Sequence, residues 1–166
     1  MTPQQIHLVR ASFALVAPVA DQAAANFYSN LFKADPAIAA MFKGDMAVQG
    51  QRLMQMIGGA VGLLDRPEQL IPTLEHLGAR HAGYGVQPAH YDTVGAALLR
   101  TLADALGDAF DEATRNAWCE MYGIVSRTML SAATAATAAT AATAATAAVA
   151  ATATRPGAGL NARATA

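Results

Sequence analysis

The sequence predicts an all-α domain with a low-complexity tail, on three observations. Apolar residues recur at helical period along most of the chain, and strand alternation is nearly absent. Capping residues, prolines and glycines punctuate those stretches at intervals suited to helices. One segment, from Leu70 to Val86, sets Leu70, Leu74, Leu77 and His81 on a single helical face, with an imidazole where a leucine would be expected. Alone, that histidine reads more readily as a hydrogen-bonded core residue.

The first helix is announced by Thr2-Pro3-Gln4-Gln5, which reads as a capping box, and by the stripe Ile6, Val9, Phe13 and Val16. The apolar segment 11–20 lacks a basic leader, so it reads as helix rather than signal peptide, and no later run is apolar enough to span a bilayer. Asp21 is expected to cap a second helix that turns Ala24, Phe27, Tyr28 and Leu31 inward. Asp35-Pro36 opens a short helical piece ending at Met41-Phe42. Asp45 then caps a helix from about Met46 to Leu64, with Gln49, Leu53, Met56, Ile57, Ala60 and Leu64 on one side. Gly58, Gly59 and Gly62 mark either a close helix approach or plain helix weakness.

Pro72 suits the first turn of the helix bearing His81, and Gly83 and Gly85 end it. Pro88 starts a long helix with Tyr91, Val94, Leu98, Leu102 and Leu106, stopped by Gly107. Asp111 caps a last helix with Trp118, Met121, Val125 and Met129 inward; Cys119 beside them is expected to be a buried inert thiol. His7 and His90 are expected at the surface or at helix ends, and His76 in solvent. From Ala132 to Thr154 a nearly perfect Ala-Ala-Thr repeat keeps no face constant and lacks large apolar groups, so it reads as a tail whose helix frays.

With 166 residues, the chain is long enough for one domain with a real core. A net charge of -1 with scattered basic residues gives no footprint for nucleic acid or an anionic membrane. The single cysteine excludes an internal disulfide and a cysteine zinc site, and fits a reducing, cytoplasmic compartment.

Several of these segments, in register from Met1 to about Leu130, resemble the globin family. They are Phe27-Tyr28-Ser29-Asn30-Leu31-Phe32, Pro36 to Phe42, Leu70 to Leu74, Arg80-His81 with Gly85-Val86, His90-Tyr91 with Val94-Gly95, and Trp118 with Tyr122-Gly123. The likeness is to bacterial single-domain haemoglobins, the haem domain of flavohaemoglobins, Hell's Gate globin and neuroglobin. It implies a globin fold, a three-over-three helical sandwich around haem b, iron protoporphyrin IX, over residues 1–131. Residues 132–166 would be an Ala/Thr-rich tail, frayed or disordered.

Carried over by position, the resemblance makes His81 the proximal iron ligand. It makes Tyr28, Gln49 and Leu53 the distal gas-binding residues. Phe42, Leu77, Val86, Tyr91 and Val94 would touch the cofactor, and Arg52 and Arg80 either pair with its propionates or stay solvated. Oxygen held on a haem iron gains negative charge, so a tyrosine hydroxyl and a glutamine amide aimed at it strengthen binding. A glutamine does not titrate near pH 7, so classical peroxidase activity is expected to be poor. Ala133 stands where flavohaemoglobins resembling this chain carry a glutamate that polarises the proximal histidine, which weakens electron push. With no flavin or nicotinamide module after the haem domain, electrons are expected from a separate reductase.

The implied functions are therefore reversible binding of O2, with NO and CO as further ligands, or nitric oxide dioxygenation with that reductase. A gas-responsive module whose tail meets a partner is a third reading. Monomer or weak homodimer is expected.

Overall fold

The computed structural model describes the backbone of residues 1–153; the last thirteen positions of the expected tail lie outside the described residues. Six α-helices occur among the described residues: α1 (Pro3–Val16), α2 (Ala20–Ala34), α3 (Met46–Gly62), α4 (Pro67–Ala82), α5 (Pro88–Leu106) and α6 (Glu112–Ala153). Single 3-10 turns link α1 to α2, α2 to α3 and α5 to α6. α4 and α1 pack on α6, and α3 packs on α2, while α2 lies beside α5 and α5 beside α6. This places α1, α3 and α4 over α2, α5 and α6, the expected three-over-three arrangement.

Most start signals act as read. The Thr2 side chain accepts from the Gln5 amide at 3.2 Å and Gln5 reciprocates to the Thr2 amide at 2.8 Å. Asp35, Asp45 and Asp111 cap their helices through backbone amides at 2.8–3.0 Å. Two expectations are corrected. Asp21 sits inside the first turn of α2 and caps nothing, because the 3-10 turn Ala17–Val19 carries the chain from α1 into α2 with almost no break; Val19 holds the cap position. Pro72 lies in the interior of α4, since Pro67 occupies the first turn and the helix begins five residues earlier than expected.

Val9 and Val16 of α1 and Ala24, Phe27, Tyr28 and Leu31 of α2 are buried, with Val9 and Leu31 at 0 % exposure, while Ile6 and Phe13 are half-buried. The run Pro3–Ala34 is long and apolar enough to cross a bilayer by length and composition alone, and it contributes Val9, Val16, Phe27, Tyr28 and Leu31 to the core while Leu15 and Val19 are exposed. Trp118 is buried beside them and donates its indole N–H to Ser12 at 2.9 Å. That tryptophan takes the inward direction, so Cys119, about 100° further round α6, is exposed rather than buried. Met56 likewise faces out of α3 at 45 % exposure. Arg10 closes the C-terminal end of α3, donating to the carbonyls of Val61 and Gly62 at 3.3 and 3.2 Å and to Asp65 at 2.6 Å. Its guanidinium holds the Asp65 carboxyl below the usual carboxylate range.

The glycine cluster of α3 is not where helices meet most closely. A Cβ on Gly59 or Gly62 would touch nothing within 4 Å, and one on Gly58 would meet only the Phe13 ring at 3.3 Å. The tight crossings are single glycines: Gly50 against Ala24, Gly78 against the Met129 backbone, and Gly95 under the Tyr122 ring. Gly78→Ala is therefore expected to lower stability in urea denaturation by about 3 kcal/mol, the upper range for overpacking, because backbone cannot step aside. Gly59→Ala, in an open helical position, should raise it by about 0.5–1 kcal/mol.

Candidate functional site

α4 carries its leucine stripe into the core: Leu70 and Leu74 are buried, Leu77 and His81 half-buried at the end of the same face. At the end of that stripe the His81 Nδ1 lies 2.8 Å from the Leu77 carbonyl oxygen. A carbonyl only accepts, so Nδ1 carries the proton and Nε2 keeps its lone pair. The helix itself thus assigns the tautomer, through the i−4 carbonyl. Gly83 stops the helix, and the turn after it sets the exposed Tyr84 ring edge-on to the imidazole at a centroid distance of 5.7 Å. Arg80 is exposed and donates to the Tyr84 hydroxyl at 3.4 Å. Tyr84 was given no role by sequence reasoning; its position three residues after His81, past a glycine, is the only signal that could have marked it.

α5 follows this helix in the chain. His90 accepts from the Gln87 amide at 3.1 Å and so forms the cap of α5, a helix-end role as expected. Tyr91 is buried, and its hydroxyl has no hydrogen-bond partner among the described residues. Burial pushes its ionisation above the usual tyrosine range. Its backbone carbonyl accepts from Tyr122 of α6, whose phenol is also pushed up, first by burial and then by Tyr91 and Asp92. Gly95 leaves room for that ring, which explains why the pair Val94-Gly95 and Tyr122-Gly123 occur together.

The other expected site residues lie on α2, on α3 and on the segment between them. Tyr28 is 8 % exposed, its ring among Phe27, Phe32 and Phe42 at centroid distances of 5.2, 5.7 and 5.2 Å. Its hydroxyl donates to the Gln49 backbone carbonyl at 3.4 Å, a long contact, and burial keeps the phenol protonated above its ordinary range. Gln49, Leu53 and Phe42 are half-buried; Arg52 faces solvent. Tyr28, Phe42, Leu53 and Val94 share one apolar cluster. Leu77, Val86 and Tyr91 belong to a second, and Leu98 packs against both. α3 and α4 are joined by a short turn around Asp65 yet are not a packed pair among the described residues, each resting on other helices.

The chain is similar to known proteins. The family described as Globin matches residues 25–129. The chain is 29 % identical over 129 residues to a flavohemoprotein of Rhodopirellula baltica, covering 76 % of this chain and 32 % of that protein. It is 28 % identical over 134 residues to one from Bacillus thuringiensis, covering 79 % and 33 %. A Rhizobium meliloti flavohemoprotein is 31 % identical over 101 residues, covering 59 % and 25 %. The chain thus spans about a third of the length of the first two relatives. An all-α three-over-three fold and a family match over residues 25–129 together mean that the chain belongs to the globin family, which implies haem and a diatomic gas as its ligands.

Proposed function

We propose that residues 1–131 are a haem b domain that binds O2 reversibly, with His81 Nε2 as the iron ligand and Tyr28 and Gln49 as donors to the gas. The observation that carries this reading is the His81–Leu77 hydrogen bond, which leaves the ring nitrogen that faces away from its own helix free to ligate. A flat apolar group fits the residues present. Phe42, Leu53, Leu77, Val86 and Val94 are each half-buried, the exposure of side chains that one further apolar surface would cover. The buried Tyr91 hydroxyl, without a partner among the described residues, is a polar group such a cofactor pocket would have to accommodate.

When bound, haem supplies an iron whose open position takes O2, NO or CO. The protein's part is to hold and discriminate. Phe42 and Leu53 exclude water on the gas side. Arg52 and Arg80, both exposed at the rim, meet the propionates. The acceptor behind His81 is a neutral carbonyl, and Ala133 brings no carboxylate to that side, so the imidazole pushes little electron density. That favours storage or delivery of O2 over nitric oxide dioxygenation with a separate reductase. The lone cysteine, free and exposed, is in keeping with the cytoplasm.

Absorption spectra of the ferric, ferrous and O2-exposed protein test this reading. A five-coordinate ferrous form that yields a long-lived O2 complex is expected. A six-coordinate ferrous form would favour a gas-responsive module, and steady NO consumption with added reductase, faster than autoxidation, would favour the dioxygenase.

A further inference from the structure

Among the described residues, His81 and Tyr84 form the one close aromatic pair that core packing does not account for. The other close pairs join Phe13 to Trp118 and link Phe27, Tyr28, Phe32 and Phe42, and all of those rings belong to the two apolar clusters. Tyr84 belongs to neither cluster and is 58 % exposed. A ring left so far in solvent gains little from burial, so its place has another cause.

The backbone brings it there. Past the last turn of α4, the amides of Gly83, Tyr84 and Gly85 donate to the carbonyls of Arg80, His81 and Ala82 at 3.2, 3.0 and 3.3 Å. These i to i+3 bonds carry the helical path a little beyond its stop, and Tyr84 comes up on the face of His81. The chain then leaves through Gly85 at φ 73°, a left-handed conformation that suits glycine. Arg80 donates through Nη2 to the Tyr84 hydroxyl at 3.4 Å, a long contact that steadies the far end of the ring. Its remaining N–H groups are left for a propionate.

Two contacts thus hold the imidazole from opposite directions along the chain. In the turn before it, the Leu77 carbonyl accepts from Nδ1 at 2.8 Å. In the turn after it, the Tyr84 ring stands edge-on at a centroid distance of 5.7 Å and an interplanar angle of 64°. The hydrogen bond fixes the tautomer, but the last torsion of a histidine is soft and the ring can still rock about the line from Nδ1 to the oxygen. An edge-to-face neighbour restricts that rocking.

We propose that Tyr84 is a positioning residue for His81. Its ring fixes the rotation of the imidazole, and so the direction in which Nε2 meets the iron, and it covers the solvent side of the half-buried His81 ring. It acts through His81 and not on the gas, and its role rests on His81 being the iron ligand.

Tyr84→Ala and Tyr84→Phe test this. The side chain is exposed, so neither change removes core packing and circular dichroism should be unchanged. In resonance Raman spectra of the ferrous protein, the iron–histidine stretching band should shift and broaden in Tyr84→Ala. Tyr84→Phe keeps the ring and should keep the band where it is. Transfer of haem to an excess of a haem-free acceptor globin should be faster by about two- to tenfold in Tyr84→Ala, the range an edge-to-face pair supplies, and little changed in Tyr84→Phe. In the haem-free protein, proton NMR should show the His81 ring protons displaced by the Tyr84 ring current, a displacement lost in Tyr84→Ala alone. An iron–histidine band unmoved in Tyr84→Ala, or a Tyr84→Phe protein that behaves like Tyr84→Ala, would overturn the proposal. A missing iron–histidine band in the original protein would instead remove His81 from the iron, and the role of Tyr84 with it, even where the ring-current displacement shows the contact to be present.

Discussion

Replacing His81 by glycine should abolish stable haem retention while leaving the helical content unchanged. The half-buried side chain ends the α4 stripe, so its removal costs little packing; Leu70 and Leu74, which carry the helix into the core, are untouched. Retention is expected to fall by more than about 100-fold, because even the outer partners of a metal ligand are worth about 10–100-fold. Free imidazole should restore the absorption band of the His81→Gly protein by occupying the space the side chain left. His76→Ala and His7→Ala, at exposed positions, should keep the band. If haem stayed tightly bound without His81 and without imidazole, the assignment of the ligand would fail.

The physical reason His81 was legible is that a helix is a local object. Its stripe, its glycine stop and its i−4 carbonyl all lie within a dozen residues, so spacing alone brings the imidazole to a helix end with Nδ1 engaged. The same locality made Thr2, Asp35, Asp45, Asp111 and Gly107 readable as starts and stops. What depends on distant partners was not readable. Gly50, Gly78 and Gly95 look ordinary in sequence, and only the arrival of Ala24, Met129 and Tyr122 from other helices makes them necessary. The conspicuous cluster at Gly58, Gly59 and Gly62 drew attention to open space. Met56 and Cys119 were misplaced for a related reason: hydrophobic character is a weaker guide to direction than the angular position a bulky neighbour leaves.

Tyr28→Phe should speed O2 release by about tenfold or more, since a hydrogen bond to a group carrying charge is worth about 1.5–3 kcal/mol and each 1.4 kcal/mol is tenfold. The substitution isolates that term. The ring keeps its place against Phe27, Phe32 and Phe42, and among the described residues the hydroxyl makes one hydrogen bond, the long contact to the Gln49 carbonyl at 3.4 Å. A contact that long is readily given up when a better acceptor enters the cleft, and losing it should change unfolding stability by less than about 1 kcal/mol. Two measurements therefore separate binding from folding: stopped-flow release moves, and urea denaturation does not. The pH dependence follows from the same burial. Tyr28 ionises above the usual tyrosine range, so its donor is present at every lower pH and is lost only as pH rises through that raised value. Gln49 does not titrate at all. Release should consequently be flat across neutral and mildly alkaline pH in the original protein. An unchanged rate in Tyr28→Phe would remove Tyr28 from the gas site and leave Gln49 as its only donor.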